Sequence, residues 1–332
     1  MILAFIYLIV LKIKETLYSL GVLKIQTLTC KVISVGNLTL GGTGKTPVVE
    51  YIARYLSPTR KTAILTRGYK RENKAAILEV LPGSSPRECG DEAVYLARET
   101  GLPVIAAVNR YSGGKYALEK FGTAFCILDD GFQRRWSLYR NLEILIIDAS
   151  NPFGNGKLIP AGILREPVKS IMAADMIILS KVDAAKDMSG LMATIHRWND
   201  FAEVIETVYE PDRLYNVFDP AERISLAEIA GKKVVTLSAV GNPEYFSKVV
   251  GKLNPAGIGR LSYRDHYSFA EKDIKEINEK AASADLIITT EKDAIKLQFL
   301  DKTKFEKKLL ALKINLGFIK GEKELQDGIN IR

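Results

Sequence analysis

The sequence predicts an α/β fold: a doubly wound, mostly parallel sheet of the P-loop NTPase type, with a second, smaller α/β domain and an N-terminal membrane-associated helix. Three observations predict it. Brief, continuous apolar runs rich in β-branched residues recur at 32–35, 62–66, 103–108, 124–128, 144–147 and 176–179, with helical stretches between them. Such unbroken runs mark a parallel sheet covered on both faces. A glycine-rich turn follows the first run directly, and most runs end in polar residues, at the edge where open α/β sheets bind ligands.

Composition bounds the rest. With 332 residues and 47% apolar content the chain can bury a sizeable core, which excludes wholesale disorder. Its 47 Lys plus Arg against 39 Asp plus Glu give a net charge of +8 without a long basic block. That balance favours anionic ligands or an anionic membrane surface and speaks against nucleic acid as a partner. Cys30, Cys89 and Cys126 form no CxxC pair, so neither a disulfide framework nor a cysteine zinc site is expected. His196 and His266 are the only histidines, which removes most His-rich metal chemistry.

Taken in order, residues 1–11 are an unbroken apolar run, followed by Lys12 and Lys14. As a helix the run reaches ~16 Å, half of a ~30 Å hydrocarbon core, so it is too short to span alone. The apolar spacing continues through Ile13, Leu17 and Leu20, and an amphipathic or half-inserted helix on a membrane face is expected. A first helix packed on the protein's own core is the alternative. After residue 203 comes a polar, proline-interrupted stretch. Further strands are expected at 234–237, 286–289 and 309–314, with helices near 243–252, 270–283 and 292–300. The chain thus reads as an N-terminal helix over 1–30, a P-loop core over 31–205, a linker over 206–220 and the smaller domain over 221–332.

The strongest chemical signal is Gly36-Asn37-Leu38-Thr39-Leu40-Gly41-Gly42-Thr43-Gly44-Lys45-Thr46-Pro47, between the first strand and a helical pattern through Val48, Ile52 and Tyr55. Backbone N–H groups from Thr39 to Thr46 would cradle nucleotide phosphates, Lys45 would reach the β- and γ-phosphates, and Thr46 would ligate Mg²⁺. Thr39 stands where the strict pattern has Gly. Among the strand exits, Asp129-Asp130 reads as a Walker-B-type pair near the metal, with an Asx turn as the plain alternative. Ser180-Lys181-Val182-Asp183 half-resembles the base-reading loop of GTPases and is read as an ordinary strand exit. Asp91, in Gly90-Asp91-Glu92-Ala93, either caps a helix or faces a substrate hydroxyl as a base. Pro160 to Pro167 sets Arg165 beside Glu166 in a loop, which is either part of a site or a surface ion pair.

Together these residues resemble the tetraacyldisaccharide 4′-kinases, the lipid A kinases of Gram-negative bacteria. The resemblance rests on the P-loop, Thr66 to Lys70, Gly90 to Ala93, Asn109-Arg110, Asp129 to Gln133, Gly154 to Pro167, Gly241-Asn242-Pro243, Asp265-His266 and Thr290 to Leu297, in that order and spacing. It implies transfer of the ATP γ-phosphate to the 4′-hydroxyl of a lipid disaccharide 1-phosphate, giving lipid IVA, at the cytoplasmic face of the inner membrane. It further implies Asp91 as catalytic base with His266 as its partner, Lys45 at the phosphates, and Asp129, Asp130 and Glu166 with Thr46 at magnesium. Asn37, Arg67, Arg110 and Arg165 are expected at the substrate. Arg134, Arg140-Asn141 and Ile163 depart from the family pattern. A GTP-dependent switch or assembly factor at the membrane, using the same P-loop and reading guanine with 180–183, is the alternative function.

Overall fold

The computed structural model describes residues 2–330, and of Ile2, Leu3, Phe5, Lys14 and Arg134 the backbone only. It divides into two units, residues 1–208 with 318–332, and residues 209–317.

The first unit contains, in chain order, α1 (Ile2–Ser19), β1 (Lys31–Asn37), α2 (Lys45–Leu56), β2 (Thr62–Thr66), β3 (Ile77–Val80), α3 (Pro86–Cys89), α4 (Asp91–Thr100), β4 (Val104–Ala107), α5 (Arg110–Phe121), β5 (Phe125–Asp129), β6 (Leu142–Asp148), β7 (Met176–Ser180), α6 (Met188–Trp198) and the start of β8 (Glu203–Asn216). Its strands lie in the order β8-β7-β6-β1-β5-β2-β4-β3. All neighbours are parallel except β3, which runs antiparallel to β4 at the edge. The continuous apolar runs explain this arrangement. β2, β4, β5, β6 and β7 are buried at every position, which only a sheet covered on both faces provides. One face carries Leu28, Val32, Leu65, Ile105 and Leu128, while Leu38, Phe132, Leu145, Ile147 and Leu179 join a separate core cluster. Each fully buried aliphatic side chain contributes about 1.5–3 kcal/mol.

The chain lays β2 to β5 on one side of β1 and then crosses to place β6 and β7 on the other. β1 therefore sits at the topological switch point, and the loop after it opens into the crevice that such sheets offer to ligands.

The second unit contains β9 (Asp219–Ile224), β10 (Lys233–Ser238), α7 (Pro243–Gly251), β11 (Gly257–Ser262), α8 (Asp273–Ala281), β12 (Leu286–Thr290), α9 (Glu291–Leu297) and most of β13 (Lys308–Lys320). Its parallel strands lie in the order β11-β10-β12-β13. Its core gathers Val235, Leu237, Ile277, Ile287, Leu297 and Leu309.

Two boundaries differ from the expected ones. The expected linker at 206–220 is strand: β8 continues through it and turns back as an antiparallel hairpin with β9, Leu214 facing Ile224. Pro211 lacks only the N–H, and a strand tolerates that where the donor is not called upon. The C-terminal residues 318–332 belong to the first unit, ending in α10 (Glu322–Ile329). There the Tyr51 hydroxyl donates to Glu322 at 2.9 Å and Gln326 donates to the same hydroxyl at 2.8 Å.

In α1 the partly buried Ala4, Tyr7, Leu8 and Leu11 form one helical stripe. Ile6, Ile9, Val10 and Ile13 form a second one, 41–56% exposed. The helix thus packs by one apolar face and exposes another. Among the described residues no helix is long and apolar enough to cross a membrane.

Candidate active site

The loop between β1 and α2 is shaped by its glycines and held from three sides. At Gly36 a Cβ would lie 2.5 Å from the Phe132 Cβ and 2.6 Å from its backbone nitrogen, so only glycine lets the two segments pass. Gly44 precedes α2 with φ 95°, a left-handed conformation that costs other residues about 1–2 kcal/mol. Behind the loop, the Asn37 amide donates to the Thr39 carbonyl and to the Thr43 hydroxyl, both at 2.8 Å. On one flank the Ser180 hydroxyl donates to the Thr43 carbonyl at 2.8 Å, and the Lys181 ammonium donates to the Gly42 carbonyl at 2.7 Å while pairing with Asp148. On the other, Leu40 N–H donates to the Ile163 carbonyl at 2.8 Å and Arg165 N–H to the Leu38 carbonyl at 2.7 Å. This shape leaves the N-terminus of α2, with Lys45 and Thr46, as an anion-binding end.

Around that end stand alternating charges. Lys45 Nζ lies 3.6 Å from Asp130 Oδ1, and Arg165 grips Asp130 with both terminal nitrogens at 2.8 and 3.0 Å. Burial pushes the Asp130 carboxyl up, but Lys45, Arg165 and Arg110 outweigh it and hold it well below the usual carboxylate range. Asp130 takes φ 56°, a conformation that Asp tolerates better than most residues. Asp129, buried at the end of β5, accepts from the Thr66 hydroxyl at 3.3 Å. Glu166 is buried and accepts from Arg135 at 2.5 Å.

At the N-terminus of α4, Asp91 is the first helical residue and its Oδ1 accepts from Glu92 N–H at 2.9 Å. Glu92 Oε1 lies 3.5 Å from the Thr46 hydroxyl, which joins the start of α4 to the start of α2. Asp91 thus adjoins, in sequence, the residue that meets Thr46. In its own unit, His266 takes φ 58° and its N–H donates to the Ala239 carbonyl at 3.1 Å, while Ala239 N–H donates to the buried Asp293 at 2.9 Å. Thr290 caps α9 by accepting from Asp293 N–H, so the Thr290 to Leu297 segment anchors the turn that carries His266.

Several expected roles change. Asn37, expected at the substrate, is fully buried and its amide braces the loop. Arg110, also expected at the substrate, is buried, donating to the Ala107 carbonyl at 2.5 Å and to the Asp129 carbonyl at 3.3 Å at the end of β5. Arg67 is exposed at the exit of β2. Of the residues expected at magnesium, Asp130 pairs with Lys45 and Arg165 and Glu166 with Arg135, while Thr46 meets Glu92 and Asp129 meets the Thr66 hydroxyl. Among the described residues no group of three acidic, His or Cys side chains converges. Ser180 and Lys181 are no ordinary strand exit but props of the loop.

The segment after Asp130 also gains a function. Phe132 is fully buried against Gly36, and the Gln133 amide donates to the Asn37 carbonyl at 2.5 Å. Arg140 donates to the Gly131 carbonyl at 2.6 Å and pairs with buried Glu143 at 3.2 Å, and the Asn141 side chain accepts from Val32 N–H at 2.9 Å. Asn141, one of the departures from the family pattern, is thus a structural tie. The Arg134 side chain lies outside the described residues.

With this geometry in place, comparison is informative. The profile of the Tetraacyldisaccharide-1-P 4′-kinase family, LpxK, matches residues 1–331. The chain belongs to this family. The tetraacyldisaccharide 4′-kinase of Halothermothrix orenii is 33% identical over 318 residues, covering 90% of this chain and 83% of the relative. That of Syntrophus aciditrophicus is 35% identical over 306 residues, covering 87% and 81%. The crystal structure of LpxK from Aquifex aeolicus in complex with ATP superposes with a TM-score of 0.74 at 32% identity, covering 99% of this chain and 96% of that one. The α/β architecture of this chain is thus that of its family.

Proposed function

We propose that this chain transfers the γ-phosphate of ATP to the 4′-hydroxyl of a tetraacyldisaccharide 1-phosphate, yielding lipid IVA in lipid A biosynthesis, while seated on the cytoplasmic face of the inner membrane. The observation that carries the reading is the braced glycine loop whose Lys45 faces the Asp130–Arg165 pair, in a chain that matches the 4′-kinase family from end to end. The ATP complex of the Aquifex aeolicus relative supports ATP as donor.

Phosphoryl transfer to an alcohol passes through a loose, anionic transition state, so catalysis is mainly positioning and charge neutralisation. The 4′-oxygen forms its bond to the γ-phosphorus as the bond to the β–γ bridging oxygen breaks, and ADP leaves. Lys45 and the N-terminus of α2 hold the phosphates, and Arg165 supplies charge at the transferring group. Asp91, next in sequence to the residue that meets Thr46, accepts the hydroxyl proton; its partnership with His266 rests on the resemblance to the family. The Thr46 hydroxyl and the Asp129 carboxylate suit Mg²⁺, which keeps several waters and takes only one or two carboxylates beside the phosphates. That ion would supply charge neutralisation on the β- and γ-phosphate oxygens. The exposed stripe Ile6, Ile9, Val10 and Ile13, with Lys12 beside it and a net charge of +8, supports a helix lying in an anionic bilayer surface.

Purified full-length protein, ATP, Mg²⁺ and the lipid acceptor test the proposal against GTP controls. Phosphorylated lipid formed with ATP is expected. Nucleotide hydrolysis that favours GTP and leaves the lipid unmodified would overturn it in favour of a GTP-dependent switch.

A further inference from the structure

The α1 helix reaches the site through a polar contact. The Tyr7 hydroxyl donates to the Arg165 carbonyl at 2.8 Å, across 158 residues of sequence. Tyr7 lies on the packed stripe with Ala4, Leu8 and Leu11, opposite the exposed stripe Ile6, Ile9, Val10 and Ile13. Arg165 is tied three ways on the site side: its N–H to the Leu38 carbonyl, one guanidinium nitrogen to Asn37 at 3.3 Å, and the paired contacts to Asp130. Asp130 in turn faces Lys45.

We propose that Tyr7 is a positioning residue: through its hydroxyl it holds the Arg165–Glu166 turn against the phosphate loop, so that seating α1 in a bilayer sets the transfer site. The inference rests on the kinase reading above and adds a dependence of turnover on that one bond. Burial and the neighbouring Glu166 carboxylate push the Tyr7 phenol up, against the pull of Arg165, so the hydroxyl stays a donor at neutral pH. A helix with an apolar outer face gains free energy only where that face leaves water. The same helix carries the donor that fixes the backbone of Arg165, so its placement is felt at Asp130 and Lys45 without any contact between lipid tails and the phosphates.

Tyr7→Phe keeps the ring and removes only the donor. Wild type and variant, both full length, are assayed with an acyl-free disaccharide 1-phosphate, with and without phosphatidylglycerol vesicles, and vesicle binding and the KM for ATP are measured alongside. Vesicles are expected to raise kcat of the wild type about fivefold, the scale of one neutral hydrogen bond. In Tyr7→Phe that rise is lost, while vesicle binding and the KM for ATP are unchanged. Equal vesicle stimulation of the two proteins would overturn the inference and leave the kinase reading standing, and so would loss of vesicle binding in the variant, which would make Tyr7 an anchor only. A wild type that phosphorylates no disaccharide acceptor, soluble or acylated, would overturn the kinase reading and this inference with it.

Discussion

At the scale of single residues, transfer depends on where charges are held. Lys45→Ala removes the cation at the end of α2 and should lower kcat by ~10²–10³, the usual cost of one preorganised contact to transferring charge. The thermal midpoint should stay within a few degrees, since Lys45 belongs to no apolar core and Arg165 still pairs with Asp130; steady-state kinetics beside calorimetry checks both. Asp91→Ala and His266→Ala should each cost ~10²–10⁴ in kcat. If the histidine acts only through the aspartate, the double variant is no worse than the poorer single one, whereas multiplying losses would separate the two roles. Glu143 offers a pH test. Burial pushes it up to about 7 against the pull of Arg140, from an ordinary value of 4.5. The folded chain therefore binds this proton more tightly than the unfolded chain. The resulting stability is full below about pH 4.5 and is lost, by on the order of 3 kcal/mol, as pH rises through about 7. Glu143→Gln should flatten that part of the stability profile in denaturant titrations, and an unchanged slope would contradict the burial argument. At this scale the sequence was a partial guide. Lys45 and Asp91 are the first residues of α2 and α4, with Thr46 next to Lys45, as the loop-then-helix patterns lead one to expect. Asn37 and Arg110 turn inward, because a motif specifies a side chain and not the direction in which neighbouring carbonyls draw it. Glu92 carries no motif signal of its own beside Asp91, and the only sequence signal for Lys181 is the Ser-Lys-Val-Asp run at the end of β7.

At the scale of elements, what could be read depended on burial. Strands buried along their whole length, such as β2 at 62–66 and β7 at 176–180, are plain in the sequence because both faces demand apolar residues. β9 and β11 were missed: Asp219–Ile224 is polar and exposed, and Gly257–Ser262 carries two glycines on a sheet edge, so neither shows continuous burial or clean alternation. β8 was read as a linker because Pro211 and its polar neighbours interrupt the pattern. For α1, one stripe packs on the protein, as the core-helix alternative expects, and the other is exposed, which leaves an apolar face that a membrane could cover. Removing residues 1–24 should therefore weaken vesicle binding severalfold in flotation or sedimentation assays. Unchanged partitioning would mean that the exposed stripe does not meet the membrane.

At the scale of the whole molecule, the phosphate loop, the Asp129-Asp130 strand end, the start of α4 and the Arg165 loop all belong to one unit with its own buried sheet. The second unit carries His266 on a turn anchored by Asp293 and α9. The division into a P-loop core and a smaller α/β part was legible from the two series of apolar runs. The return of residues 318–332 to the first unit was not, because its decisive contacts, Tyr51 with Glu322 and Gln326, join residues some 270 positions apart. The central claim is that this molecule places a phosphate on one hydroxyl of a lipid disaccharide. Its most direct test is phosphorus–proton NMR of the purified product formed by the wild-type chain from ATP and tetraacyldisaccharide 1-phosphate. A new phosphomonoester coupled to the proton at the 4′ position is predicted, absent with Lys45→Ala; an unmodified disaccharide, or a phosphate at any other position, would contradict the account.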